Sequence, residues 1–406
     1  MNPFTPATIA PLAQQFGTPL WIYDADTITR QIAALRLFDV VRFAQKANSN
    51  THILRLMKRQ GAVVDSVSLG EIERALAGGF TPGLHNGHAD IVFTADLLDR
   101  ATLARVVELN IPVNCGSMDM LDQLGAVNPG HPVWLRINPG FGHGHSKKTN
   151  TGGEHSKHGI WHGDLVRACE KNKSNGLALQ GLHMHIGSGV DYAHLQEVCG
   201  AMLKLVEVVN AQGLDLHAIS AGGGLSVPYQ AGEPTIDTAH YFSLWDAVRH
   251  AVEQLLEHPV KLEIEPGRYL MAESGVLVTE VRATKQQGAN HFVMVDAGFS
   301  DLVRPALYGA YHGMELIHSD GTAVNGLQFD TVVAGPLCES GDVFTQGDGG
   351  VVLHRSLPQA QVGDLLVLHD TGAYGASMSS NYNARPLIAE VLMENGEPRL
   401  IRRRQT

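Results

Sequence analysis

The sequence predicts an α/β fold, a parallel βα barrel followed by a mostly β C-terminal domain. Three observations carry this. From residue 40 to about 270, short apolar runs alternate with helical periodicity, and about eight such runs occur, the number that closes a parallel barrel. After residue 275 the runs are separated by Gly/Asp-rich turns, and long helical patterns stop. A chain of 406 residues is also too long for one ordinary core.

Taken in order, the barrel strands are expected at Val40–Ala44, Ala62–Val67, Ile91–Thr94, Ile111–Cys115, Val133–Ile137, Leu179–Ile186, Leu216–Ser220 and Val260–Ile264. The segments between them read as helices. The clearest runs from Tyr192 to Gly213, with Leu195, Val198, Cys199, Met202, Leu205, Val206 and Val209 at helical spacing, Asp191 as N-cap and Gly213 as stop. In the second domain, strands are expected at Gly275–Val281, Phe292–Val295, Thr331–Val333 and Leu365–Leu368, with a short helix near Leu302–Tyr311. The strand-like Pro19–Tyr23 is expected to join them. The domains expected are therefore a (β/α)8 barrel of TIM type over residues 26–272 and a β-rich domain over 1–25 and 273–406.

Composition narrows the function. Apolar residues make up 44% and charged residues 17%, a balance typical of a globular enzyme. The net charge of −11 argues against a nucleic-acid partner. No apolar run reaches the roughly 18 residues of a membrane span, and the first residues lack a basic and an apolar leader region, so a cytoplasmic protein is expected. The four cysteines have no metal-ligand spacing and form no disulfide framework. Of 21 histidines, His143, His145, His155, His158 and His162 fall in one loop, but the glycines and lysines between them suit a mobile loop better than a ligand cage. No metal is expected.

The chemistry-bearing residues follow the strands. Lys46 follows the first, Asp65 ends the second, Arg136 the fifth, and His183 and His185 the sixth. Gly222-Gly223-Gly224 follows the seventh, and Glu265-Pro-Gly267-Arg268 the eighth. In a βα barrel all of these lie on the C-terminal face, where active sites form. Singly, each has a bland reading: a solvated lysine, a buried histidine, a turn. Their coincidence on one face is what those readings leave unexplained. Three glycines after a late strand bare backbone N–H groups to an anion, and the spacing is not that of a dinucleotide fingerprint. A phosphate on something smaller is expected.

With these motifs in place the chain resembles the diaminopimelate decarboxylases, pyridoxal 5′-phosphate (PLP) enzymes of the alanine-racemase-like barrel class. The resemblance spans essentially the whole chain. It rests on Phe43-Ala-Gln-Lys-Ala-Asn48, Asp65-Ser-Val-Ser-Leu-Gly-Glu71, His183-Met-His-Ile-Gly-Ser188, the triple glycine, Glu265-Pro-Gly-Arg268, Val295-Asp-Ala-Gly298 with Arg304-Pro-Ala-Leu-Tyr308, Gly335-Pro-Leu-Cys-Glu-Ser340, and Gly372-Ala-Tyr374 with Asn381-Tyr-Asn383. Two departures, Ala95-Asp-Leu-Leu98 and His158, fall where no cofactor chemistry is carried.

The resemblance implies that Lys46 holds PLP as a Schiff base and that His185 stacks on its ring. Ser188, Gly222, Gly223, Gly224 and Tyr374 would hold the phosphate, with Asp65, Arg136, Gly267 and Arg268 also around the cofactor. Glu265 would face the pyridine nitrogen, where a carboxylate favours the protonated ring and so the stronger electron sink. Arg268, Arg304, Tyr308, Glu339 and Tyr374 would bind substrate. Cys338 would donate the proton that replaces carbon dioxide, since a free thiol titrates near ~8.5 and can act as an acid. In relatives the Cys-Glu pair comes from the partner subunit, so a homodimer with shared active sites is implied. Two alternatives stand beside this reading. A sister decarboxylase for a substrate without the distal carboxylate would not need the Arg304 and Cys338-Glu339 motifs. A PLP-binding protein without catalysis would lack the β domain.

Overall fold

The computed structural model of the chain describes residues 3–85, 87–142, 151–185, 187 and 192–406. It divides into two compact units, one of residues 30–226 and 235–269, the other of residues 3–29, 227–234 and 270–406.

The first unit is a closed barrel of eight parallel strands: Val40–Ala44, Val63–Ser66, Ile91–Ala95, Val113–Cys115, Pro132–Asn138, Ala178–His183, Ala218–Ser220 and Lys261–Ile264. Each pairs with the next, and the eighth returns to the first with Glu263 opposite Val40 and Ile264 opposite Val41. The strands are almost continuously buried, as expected when a parallel sheet has packed faces on both sides. Register decides which side chains meet. Arg136 lies opposite His183, His183 opposite Ser220, and Ser220 opposite Glu263, so one level of the barrel carries a run of polar residues. The sixth strand is shorter than expected: pairing ends at His183, and His185 lies beyond the ladder. A two-residue strand, Ile160–Trp161, adds to the end of the fifth. The long helix spans Tyr192–Ala211; its expected cap, Asp191, lies outside the described residues.

The second unit is built on the long strand Gly275–Gln287. It pairs with Leu20–Asp24, Asn290–Val295 and Leu365–Leu368, changing register between Val281 and Ala283. The sheet runs Arg355–Pro358, Gln328–Ala334, Asn290–Val295, Gly275–Gln287, Leu20–Asp24, Ala389–Glu394, Glu397–Arg402. Its core gathers Ile9, Leu12, Leu20, Ile22, Val276, Val278, Ile317, Val367 and Val391. The N-terminal helix Pro6–Phe16 is not among the expected elements; the Thr5 hydroxyl caps it by accepting the Thr8 N–H, and Pro6 opens it. The expected short helix is observed as Arg304–Tyr308. Strand Ala389–Glu394 is also additional, because the buried Glu390 breaks its apolar run. Glu390 is satisfied by the Tyr23 hydroxyl at 2.8 Å and Arg402 at 2.9 Å. Residues 227–234, expected within the barrel domain, belong to this unit, where the Tyr229 ring lies 4.9 Å from the Arg304 guanidinium.

Candidate active site

The first strand hands over to a tight turn, Gln45–Ala47, that leaves Lys46 exposed between two buried residues. Gln45 fixes the turn from below, its amide donating to Ser66 Oγ at 2.6 Å and to the Glu71 carbonyl at 3.1 Å. Beyond it the Asn50 side chain caps helix Thr51–Arg59. After the second strand, Ser68 caps helix Leu69–Ala77 by accepting the Glu71 N–H, and Glu71 accepts the Val67 N–H at 2.8 Å, a reciprocal arrangement close to a capping box. These caps fix the direction in which each chain leaves the barrel mouth.

Glu265, just past the eighth strand, is buried and bound on both oxygens. His183 Nε2 donates to Oε2 at 2.7 Å and the Ser220 hydroxyl to Oε1 at 2.9 Å. Burial alone would push its pKa up. The hydrogen-bonded His183 and the Arg42 guanidinium outweigh burial, with help from Ser220, and hold the carboxyl at about 2. Arg42 itself is buried, its Nε and Nη2 both donating to Glu263 Oε2 at 3.1 and 2.8 Å and its Nη1 to the Ala89 carbonyl at 3.0 Å.

Asp65 shows the opposite behaviour on the same end of the barrel. Burial, then the nearby Glu265 charge, push its pKa up to about 8, against the pull of Lys46 and Thr94. Its Oδ1 is buried with no hydrogen-bond partner. Two carboxyls are thus driven to different protonation states by their surroundings, a recurring mark of catalytic sites. His185 is held well below the usual histidine value by burial, and by the Lys46 and Arg136 charges. Its Nδ1 accepts the Gly223 N–H at 3.1 Å, as a neutral ring can.

The glycine turn is cut to backbone dimensions. A Cβ on Gly222 would lie 2.1 Å from the Met184 carbonyl oxygen, one on Gly223 2.6 Å from that of Glu265, and one on Gly224 2.5 Å from that of Gly187. Gly222 and Gly224 also have φ of +62° and +109°. This cradle, the buried carboxylate of Glu265 and the unpartnered Asp65 oxygen fit a small phosphorylated ring with a basic nitrogen, and so fit PLP. Gly267 is buried and Arg268 half-buried at the start of the turn of helix Arg268–Met271. Arg136 is buried. Burial would raise the pKa of Asp96, but His158, whose Nδ1 lies 2.5 Å from that carboxylate, and then Arg136 hold it low. Ser188, His143 and His145 lie outside the described residues.

The second unit presents its own cluster. Arg304 is buried, donates to His312 Nε2 at 2.9 Å and stacks on Tyr229. Tyr308 is half-buried, in the same short helix. Cys338 and Glu339 are both exposed. The loop carrying them is stapled by Asp342, which accepts the N–H groups of Phe299 and Leu337 at 2.7 Å each. Asn383 accepts the Cys338 N–H at 2.9 Å, and the Tyr382 hydroxyl meets Glu339 at 3.1 Å. Tyr374 has φ of +58°, a strained conformation for a non-glycine residue of the kind found at functional sites. His183 as the partner of Glu265, and Ser220, His312 and Tyr229, carry no sequence signal for these roles. His183, Ser220 and Tyr229 are distant along the chain from the residues they hold, and His312 lies beyond the short helix that carries Arg304; only strand register or loop packing joins them.

Comparison with known proteins identifies the family. Residues 25–272 match the family described as "Pyridoxal-dependent decarboxylase, pyridoxal binding domain". The diaminopimelate decarboxylase of Escherichia coli (strain K12) is 66% identical over 396 residues, 97% of this chain and 93% of that protein. That of Streptomyces coelicolor is 63% identical, over 98% and 89%. A crystal structure of diaminopimelate decarboxylase at 66% identity superposes with a TM-score of 0.94, covering 98% of this chain and 94% of that one. One from Helicobacter pylori, complexed with L-lysine, is 31% identical with a TM-score of 0.87, covering 98% and 96%. The chain is a pyridoxal-dependent decarboxylase by class and belongs, within that class, to the diaminopimelate decarboxylase family.

Proposed function

We propose that this protein converts meso-2,6-diaminopimelate to L-lysine and carbon dioxide, the last step of lysine biosynthesis, in the cytoplasm. The observation that carries the reading is Glu265, a buried carboxylate kept ionised at the barrel mouth beside a backbone cradle. PLP, when bound, withdraws electrons from the substrate α-carbon so that the carboxylate can leave.

The chain's own groups would do the rest. The Lys46 amine would hold the cofactor aldehyde. Glu265 would keep the pyridine nitrogen protonated, and His183 and Ser220 would keep Glu265 charged. His185, neutral, would lie against the ring. Gly222, Gly223 and Gly224, with Ser188 and Tyr374, would bind the phosphate, and Asp65, Arg136, Gly267 and Arg268 would line the remainder. The substrate has two amino-acid ends, and the non-reacting one needs both charges gripped. Arg268, Arg304 and Tyr308 suit a carboxylate, arginine through its planar fork, and Glu339 suits the distal ammonium. The Cys338 thiol would deliver the proton that replaces carbon dioxide. Cys338 and Glu339 would come from the partner subunit of a homodimer with shared active sites.

Incubating the protein with PLP and meso-diaminopimelate should release lysine and carbon dioxide in equal amounts, whereas ornithine and arginine should be poor substrates. Comparable turnover of ornithine would replace this reading by that of a diamine-forming decarboxylase.

A further inference from the structure

At the opposite end of the barrel, three side chains converge that take no part in this chemistry. Asp215 and His217 precede the seventh strand, and His258 precedes the eighth, so they stand on the N-terminal rim. We propose that Asp215, His217 and His258 form a binding site for a divalent transition-metal ion of the zinc class.

One ligand atom from each residue lies within 4.8 Å of the others. His258 Nε2 is 2.8 Å from Asp215 Oδ1, and the two imidazole rings are 5.6 Å apart. Zinc takes nitrogen and oxygen ligands at about 2.0–2.2 Å, so ligand atoms stand roughly 3.2–3.6 Å apart. Small side-chain rotations reach that geometry. The outer contacts are already made. His258 Nδ1 lies 3.0 Å from the Pro259 carbonyl, which leaves Nε2 as the ligand, and Asp215 Oδ1 accepts the Leu216 N–H at 2.8 Å. The backbone beneath is rigid: the His217 N–H donates to the Gln180 carbonyl at 3.0 Å, and its carbonyl accepts the Lys261 N–H at 2.9 Å. Asp215 and His217 are exposed and His258 is half-buried, so water can reach the remaining coordination positions.

Two imidazoles and one carboxylate select zinc, cobalt or nickel over magnesium and calcium, which favour oxygen. An Asp215–His258 ion pair accounts for two of the residues, and the His217 ring, 5.6 Å from that of His258, brings a third donor beside them. The bound ion would clasp the loops leading into the seventh and eighth strands, whose far ends carry the glycine turn and Glu265.

The test uses untagged, PLP-loaded enzyme stripped of metals and titrated with Zn²⁺ by calorimetry and with Co²⁺ by visible absorption. Wild type should bind one equivalent that His217→Ala and His258→Ala each weaken at least about tenfold. Wild type should gain thermal stability with Zn²⁺, and both variants should lose that gain while their lysine formation stays unchanged. Equal binding by wild type and both variants, or loss in His258→Ala alone, would overturn the three-residue site. Competition by equimolar Mg²⁺ would overturn the metal class.

Discussion

Glu265 and Asp65 share one end of the barrel and respond oppositely to burial. Glu265 has a histidine, a hydroxyl and a guanidinium to offset desolvation; Asp65 has an adjacent negative charge to worsen it. Glu265→Gln keeps shape and hydrogen-bonding capacity but removes the charge. The variant should still bind PLP, while kcat falls on the order of 10²–10³-fold, the usual loss when a preorganised electrostatic partner is removed. Steady-state kinetics beside the absorbance of bound cofactor separate the two effects, and unchanged kcat would remove this role from Glu265. The pKa shifts also set the response of the cofactor-free protein to pH. Asp65 rises from 3.8 to about 8, so its contribution to stability is complete below about pH 4 and is lost as pH climbs through about 8. Glu265 contributes above about pH 4.5 and loses that contribution as pH falls towards about 2. Asp65→Asn should therefore flatten the decline of Tm between about pH 5 and pH 8, measured by calorimetry on cofactor-free protein. A slope equal to that of wild type would mean that Asp65 is ionised in the fold.

Among the secondary-structure elements and their connections, the turn after the seventh strand is the most constrained piece of the barrel mouth. Its three glycines sit where carbonyl oxygens of the sixth and eighth strand ends approach within a Cβ's reach. Gly222→Ala meets both a left-handed φ and a carbonyl at 2.1 Å. A strain of about 1–3 kcal/mol is expected, and relief of it by movement of the turn should weaken PLP affinity about tenfold or more, measured by equilibrium dialysis. Gly200→Ala, within helix Tyr192–Ala211 and with nothing within 4 Å of the added carbon, is the control and should leave affinity unchanged. The turn is legible in the sequence because consecutive glycines after a strand have few other uses. The groups holding Glu265 are not, because Ser220 and His183 reach it only through the register of three neighbouring strands.

For the molecule taken entire, Cys338 and Glu339 lie exposed on a loop stapled by Asp342, in a different unit from Lys46. A shared-site homodimer makes a quantitative prediction. Lys46→Ala and Cys338→Ala proteins are each expected to be inactive. Mixed in equal amounts and allowed to exchange subunits, they should regain about a quarter of wild-type activity, since half the dimers are hybrids and each hybrid has one of two sites intact. Exchange demonstrated by mass, with no activity returning, would place Cys338 at its own subunit's site. Among the described residues, no helix is long and apolar enough to cross a membrane.

The order of amino acids alone suffices for the number and succession of the barrel strands and for the strand ends that carry Lys46, Asp65, Arg136, Gly222–Gly224 and Glu265; the sixth strand ends at His183, short of the expected Ile186, and leaves His185 beyond it. A buried parallel strand must be nearly all apolar, so polar residues at its end stand out. The β-rich character of the last third is legible in the same way. The N-terminal helix is not, because two prolines mask it, and neither is strand Ala389–Glu394, whose apolar run Glu390 interrupts. The environment of each charge, by contrast, exists only once the chain is folded. Folding sets Glu265 low against His183 and Arg42 and Asp65 high beside Glu265, and it brings Tyr229 beneath Arg304 and His258 to Asp215 across 43 residues. Desolvation and Coulomb energies depend on distance through space. Chain spacing constrains that distance within an element but not between strands that the barrel makes neighbours.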